Sequence, residues 1–356
     1  MKKRFRYFLI LVLTQGAAQL VRVERCFANP YGFNQAMNVI RQFVGYGGTG
    51  ANGALTVDGI PNGPSNPVYT DSVRSYLPSA ASAGATTVTL ASATGFAVGN
   101  EVLIIQMLGS APGAHETRTI SSIASNTLTL SSALTRTFPG YSAGVSVTQV
   151  IVIPHYTSIT INSGGFLTVN AFNGQTGGVM FFRASGNITL NSATPMSGTI
   201  SVAGKGFIGG GAGASGTGPG GGAVGQGGSN TSPGHHDYAV MASGGGGNSG
   251  AGASGGGVIM IQSTGTMTMN GNILADGNAA GASTNGGGGA GGTVHLYSDI
   301  ITFSTACGTL RASGGAGNGT GTIGQDGRIF VNYRTTLNCK NASPANRSSY
   351  RKYDVK

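Results

Sequence analysis

Tryptophan is absent from this chain of 356 residues, and only 10 acidic and 20 basic side chains occur in it. Charged residues amount to 8 % and aromatic ones to 7 %. So little charge excludes a chain kept open by its own charge, which would be rich in Lys and Glu. A coiled coil or helical bundle would be built on Ala, Glu, Lys and Leu, whose place Gly and Thr take here. Collagen is excluded because Gly does not recur at every third position. No apolar run reaches the roughly 20 residues that a membrane-spanning helix needs. What the chain has in excess is glycine, with 65 residues against a usual share of about 7 %. The class left is one of short strands joined by Gly-rich connections.

The few charges are placed unevenly. Lys2, Lys3, Arg4, Arg6, Arg22 and Arg25 open the chain, and Arg334, Lys340, Arg347, Arg351, Lys352 and Lys356 close it. The body between Asn29 and Tyr333 is neutral. A nucleic-acid binder carries its basic residues on the folded surface, interleaved with aromatics, so nucleic acid is not an expected partner. The basic segment 334–356 reads as a solvated tail.

Residues 1–28 have the form of a signal peptide. A positive start precedes the short apolar run Tyr7 to Leu13, and small residues follow, with cleavage sites after Ala18 or Ala28. The expected location is the cell surface or the extracellular medium of a bacterium, with membrane contact only in transit. Cleavage after Ala28 would remove Cys26 and leave Cys307 and Cys339. In an oxidising compartment those two are expected to form a disulfide, worth about 3–4 kcal/mol in the chain-entropy picture.

Three further regions follow. Residues 29–82 show little pattern, apart from a short helix expected at Asn34 to Phe43. Residues 83–155 alternate as TTVTL, EVLIIQM, TRTISSI and TLTL between Gly and Asn turns, which predicts a small antiparallel β unit, barrel-like in form. Residues 156–333 are repetitive. The runs beginning GGVMFFRASG at Gly177, GGVIMIQSTG at Gly256 and GGTVHLYSDI at Gly291 line up, with a truncated copy at Gly327. The strand starts Val258, Thr293 and Arg328 are 35 residues apart. Three short strands per repeat predict coils of a parallel β-helix rather than propeller blades. Gly204 to Gly327 holds 42 of the glycines. Loops of that composition on one side of a solenoid are expected to pair as polyglycine or polyproline-II-like segments.

Chemistry-bearing clusters are few. His235, His236 and Asp237 are adjacent in a Gly-rich loop and are weak candidates for a metal site, which wants about four convergent ligands. The acidic residues Asp276, Asp299 and Asp326 are scattered singly, and Asp276-Gly277 and Asp326-Gly327 read as turns. Gly204-Lys205-Gly206-Phe207-Ile208-Gly209 matches a dinucleotide fingerprint, but no helix follows. No catalytic residue and no cofactor is expected.

The stretch from GATTVTLASATGFAVGNEVLIIQM through PHYTSITINSGG to GQDGRIFVNY resembles a group of secreted, Gly-rich β-solenoid proteins of bacteria. In composition the Gly loops also look like the polyglycine loops of phage tail-tip adhesins. The resemblance implies a surface structural or adhesive role and brings no catalytic residues. The sequence therefore predicts an exported all-β protein that acts as a structural or adhesive element. Its expected partners are copies of itself, as oligomer or filament, or surface glycans. The alternative is a β-helix lyase or hydrolase of polysaccharides. Ice binding through Thr266 and Thr268 is a weaker option, because the next copy reads Ile300 and Thr302.

Overall fold

The computed structural model describes residues 9–14, 17–22, 47–193, 196–230, 238–282, 285–303, 310–338 and 348–352. They fall into two units, 1–46 with 355, and 47–354 with 356. In the first, Leu9–Thr14 pairs antiparallel with Ala17–Arg22. The helix expected at Asn34 to Phe43 and the junction after Ala28 lie outside the described residues.

The second unit is all β among its described residues. Its main body is a parallel β-helix with three strand stacks, each coil adding one strand to each stack. The first stack runs through His155–Tyr156, Val179–Ala184, Val258–Ser263, the first halves of Thr293–Phe303 and Arg328–Leu337, and Ser348–Lys352. The second runs through Ala54–Val57, Ser158–Ile161, Ile188–Leu190, Thr266–Met269 and the second half of Thr293–Phe303. The third joins Val68–Tyr69, Phe166–Thr168, Thr199–Ser201, Asn272–Leu274 and Leu310–Arg311. Val258, Thr293 and Arg328, 35 apart in sequence, are register partners. The repeat length is thus the length of one coil.

Alternation sets what is inside. Leu55, Ile159, Ile188, Met267 and Ile301 form one inward rank, and Phe182, Ile261, Leu296 and Val331 form another. With Leu167, Ile200, Ile273 and Leu310 of the third stack they fill one core. Burying each such side chain stabilises by about 1.5–3 kcal/mol.

The structure corrects the sequence reading at three places. Of the region 29–82, residues 47–82 belong to the fold rather than to a leader. Ala54–Val57 and Val68–Tyr69 build the first coil, and Arg74–Tyr76 enters the antiparallel unit. These strands have two to four residues, too few to show a period. Within the segment 334–356 the described residues are not a free tail, because Arg328–Leu337 reaches into it and Ser348–Lys352 adds a parallel rung. The third repeat has two strands fused into Thr293–Phe303. Earlier coils turn this corner at Gly186 and Gly265, whereas here Ser298-Asp299 stands in their place. Without a Gly the chain bends without breaking the strand.

The antiparallel unit interrupts the first coil after Tyr69. Its strand order is Arg74–Tyr76, Val147–Val152, Glu101–Leu108, His115–Ala124, Thr127–Leu130 and Thr87–Thr89. One face encloses Val102, Ile104, Ile120, Leu128 and Phe138. The other places Leu103, Ile105 and Ile151 against Val179, Phe181, Val258 and Met260 on the outside of the first stack. Glu101–Leu108 is covered on both faces, which is why it reads as a continuous apolar run.

The connections from third stack to first that follow Ser201, Leu274 and Arg311 carry Gly-rich excursions, and these pack together. Around the segment 286–292, six others are hydrogen-bonded. Gly228 donates to Gly288, Ala253 to Gly287, Gly287 to Gly246, Gly288 to Thr322, Gly289 to Asn278 and Gly315 to Gly289. A segment with six neighbours, bonded outward rather than along itself, is the packing of a polyglycine lattice. It leaves no room for a side chain. A Cβ on Gly288 would stand 1.9 Å from the Gly315 carbonyl oxygen.

Candidate functional site

Three features of the surface carry polar chemistry. The first is a threonine file. In the second stack, the rank between the two inward ones faces outward, and it reads Thr56, Thr160, Thr189, Thr268 and Thr302 in continuous register. Thr56 is exposed and the other four are half-buried. Rungs of a β-sheet are about 4.8 Å apart, so five rungs span about 19 Å. Thr is β-branched and stiff at χ1, so each rung presents a hydroxyl and a methyl in a fixed direction. The neighbouring rank is mixed, with Ala54 beside Ser158, and Thr266 beside Ile300 and Thr336. The surface is a single file, not the double array that Thr266 and Thr268 alone would suggest.

The second feature is a buried polar cluster where the antiparallel unit meets the first coils. Glu101 accepts from His155 Nε2 at 2.7 Å, and from Arg183 Nε at 2.8 Å and Nη2 at 2.7 Å. Arg183 also donates to Gln262 of the next coil. Burial would raise the Glu101 carboxyl, but the bonds from His155 and Arg183 and their charge prevail and hold it at about 2. His155 Nδ1 accepts from the Thr49 amide at 3.1 Å and lies 3.2 Å from Thr49 Oγ1. Hydroxyl, imidazole and carboxylate thus stand in the order of a nucleophile relay. Here the Thr49 amide already fills the Nδ1 lone pair, and Arg183 holds the carboxylate. The cluster works as a clamp tying residues 47–53, the antiparallel unit and three coils together.

The third feature is a groove of about 360 Å³ between the antiparallel unit and the glycine lattice. Leu108, Val147, Phe172, Phe207, Ile208 and Thr217 are among its walls. No charged side chain lines it. Phe172 and Phe207 meet edge to face at 4.9 Å.

The acidic residues singled out in sequence have structural partners. Arg311 donates to Asp276 from Nε at 3.0 Å, and Arg334 to Asp299 at 2.7 Å. Both pairs join residues 35 apart, so each staples one coil to the next. Asp326 accepts from the Gly314 amide at 2.9 Å. His235, His236, Asp237, Cys307 and Cys339 lie outside the described residues. Among the described residues, no group of three or more His, Cys, Asp and Glu is placed to hold a metal. Sequence reasoning missed the Glu101 clamp and most of the threonine file. Glu101, His155 and Arg183 are 54 and 82 residues apart with no motif to join them.

No family model matches the chain, and no curated protein matches it. Among solved structures, the tailspike gp61 of Pseudomonas phage phi297 is 13 % identical, with 79 % of this chain and 51 % of that one covered and a TM-score of 0.25. The tailspike gp49 of Pseudomonas phage LKA1 is 11 % identical, over 74 % of this chain and 46 % of that one, with a TM-score of 0.22. The Gp54 tailspike of Acinetobacter baumannii bacteriophage AP22, solved in complex with A. baumannii capsular saccharide, is 11 % identical over 79 % and 55 %, with a TM-score of 0.21. This chain spans about half the length of the tailspikes it matches. The β-helix assignment above rests on the strand pairing itself.

Proposed function

We propose that this chain is an exported surface or extracellular β-solenoid that binds a repetitive, uncharged polysaccharide. The observation that carries the reading is the file Thr56, Thr160, Thr189, Thr268 and Thr302. Its hydroxyls both donate and accept, and its methyl groups suit the C–H faces of sugar rings. A polymer repeating along the file would gain many weak contacts at once, each adding to the effective concentration of the next. The near-absence of charge on the body supports a neutral ligand. The N-terminal signal features support export.

The rival is an enzyme that cleaves the same class of polymer, and the groove beside Phe172 and Phe207 is the observation that favours it. The commitment of Asp276 and Asp299 to coil-to-coil ion pairs supports binding over cleavage.

Co-sedimentation with insoluble neutral polysaccharides tests the binding reading. The triple variant Thr160→Val, Thr189→Val, Thr268→Val keeps shape and removes three hydroxyls. At about 1 kcal/mol each, the loss is about 100-fold in affinity. Unchanged retention by that variant would remove the file as the binding face. Release of new reducing ends, abolished by Asp276→Asn or Asp299→Asn, would establish the enzyme instead.

A further inference from the structure

The single file of threonines is bordered, on the side away from Ser158 and Thr266, by a file of carboxamides. Strands alternate, so the residue two places after each threonine faces the same way. Those residues are Asp58, Asn162, Asn191 and Asn270, one on each of four successive rungs. The register holds at this position too. The Asn162 amide donates to the Val57 carbonyl at 2.9 Å, Asn191 to Ile161 at 2.8 Å and Asn270 to Leu190 at 2.9 Å. Asp58 is exposed and the three asparagines are half-buried. Each rung thus reads Thr, a core residue, then Asn or Asp, with Val57, Ile161, Leu190 and Met269 as the core members. Ser304, which follows on the fifth rung, lies outside the described residues.

The side chains of this file bond to one another. Asn191 Nδ2 donates to Asn162 Oδ1 at 2.9 Å, and Asn162 Nδ2 donates to Asp58 Oδ1 at 2.6 Å. A primary amide has two N–H donors and an oxygen with two lone pairs. A bond running down the file uses the N–H that points opposite to the C=O, and the C=O accepts from the next rung. With both of these along the file, the bond from Cγ to Cβ leads back into the sheet. The second N–H and the second lone pair then form an edge directed away from the sheet. That edge sets one donor beside one acceptor.

We propose that the ladder Asp58, Asn162, Asn191 and Asn270 reads pairs of adjacent free hydroxyls, which restricts the ligand to a neutral polysaccharide with a vicinal diol on each sugar. This rests on the reading of the threonine file as a polysaccharide-binding face. Two hydroxyls on neighbouring ring carbons offer a donor and an acceptor at a spacing close to that of the amide nitrogen and oxygen. The amide edge therefore takes such a pair through two hydrogen bonds, and a lone hydroxyl through one. Threonine and amide of one rung are two residues apart along the strand, about 6.6 Å. A sugar ring spans that width, with its hydroxyls on the amide and a C–H face on the threonine methyl. Rungs about 4.8 Å apart repeat the contact for the next sugar. Each amide is held by its neighbour, so little side-chain freedom is left to lose on binding. The Asp58 carboxylate at the first rung repels an acidic sugar.

The test is co-sedimentation of the full chain with three insoluble, uncharged polymers. Cellulose and mannan keep two adjacent hydroxyls free on every sugar, whereas curdlan is a glucan linked so that no two adjacent hydroxyls are free. The expected result is retention by cellulose or mannan about tenfold tighter than by curdlan, falling to the curdlan level once periodate has cleaved the diols. Asn191→Leu and Asn270→Leu nearly keep the side-chain shape and remove the amide. Each should weaken retention by the diol-bearing polymer about tenfold and leave retention by curdlan unchanged. The triple variant Thr160→Val, Thr189→Val, Thr268→Val should weaken retention by all three polymers. The urea midpoint of each variant shows that it is folded; should Asn191→Leu not fold, Asn270→Leu and the periodate-treated polymer decide. Equal retention by curdlan and the diol-bearing polymers, or retention that survives periodate, would overturn the diol assignment and leave the threonine reading standing. Retention by none of the three overturns that reading, and the assignment with it.

Discussion

The glycine lattice makes a prediction in which two glycine-to-alanine changes have opposite signs. Gly288 is buried in the central segment, with backbone φ outside the left-handed region. A Cβ there would lie 1.9 Å from the Gly315 oxygen, 2.6 Å from its carbon and 2.9 Å from the Ala316 carbon. Normal contact needs more than 3 Å, so the two segments must part by over 1 Å. Three bonds around this point are 2.8–2.9 Å long, from Gly288 to Thr322, from Gly228 to Gly288 and from Gly315 to Gly289. Stretching one or two of them past bonding distance costs about 1–3 kcal/mol each, and overpacking adds about as much. The expected net for Gly288→Ala is a loss of about 3–6 kcal/mol. Gly211 is exposed, has no atom within 4 Å of a built Cβ, and has no positive φ. There the only effect is on the unfolded chain, so Gly211→Ala should stabilise by about 0.4–1 kcal/mol. Urea unfolding followed by far-ultraviolet circular dichroism measures both. Equal shifts in the two variants, or a Gly288→Ala loss below about 1 kcal/mol, would refute the lattice as a packed structure.

Three other outcomes follow from the same contacts. Glu101 is held at about 2 against 4.5 in an open chain, so its stabilising effect is whole above pH 4.5 and fades as pH falls toward 2. That difference corresponds to about 3 kcal/mol, and Glu101→Gln should lower stability at pH 7 and flatten the acid limb of the denaturation curve. Truncation after Asn338 removes Ser348–Lys352 and bares the edge of Arg328–Leu337. Light scattering should then show association that the full chain does not. Polysaccharide affinity should stay level between low and high salt, because no phosphate- or carboxylate-like charge is being matched; a steep fall with salt would point to an anionic polymer.

How far the sequence disclosed this molecule depended on chain distance. Val258, Thr293 and Arg328 recur at one interval, and that interval is one coil. The threonine file has no interval at all. Its members sit at 56, 160, 189, 268 and 302, because the antiparallel unit is inserted before the second and a long Gly excursion before the fourth. Only Thr266, Thr268 and Thr302 stand out in the sequence, and Thr266 belongs to the other, mixed rank. The first coil escaped for a related reason. Its strands are short and separated from their partners Ser158–Ile161 and Phe166–Thr168 by the whole antiparallel unit. The Glu101 clamp is likewise assembled from three elements that share no motif.

The scarcity of charge acquires a structural meaning from these contacts. Asp276 and Asp299 are spent on joining successive coils and Glu101 on joining the antiparallel unit to them, so these three acids serve where two parts of the fold meet. The outward file of the second stack is left to Thr. Such a surface holds a ligand only through neutral hydrogen bonds and close backbone approach, each worth about 1 kcal/mol. Useful affinity then requires many of them in a row, and a stack of coils in register is a way to supply that row. On the proposed reading, the repeat and the lack of charge are two sides of one design for meeting an extended, neutral, repeating partner.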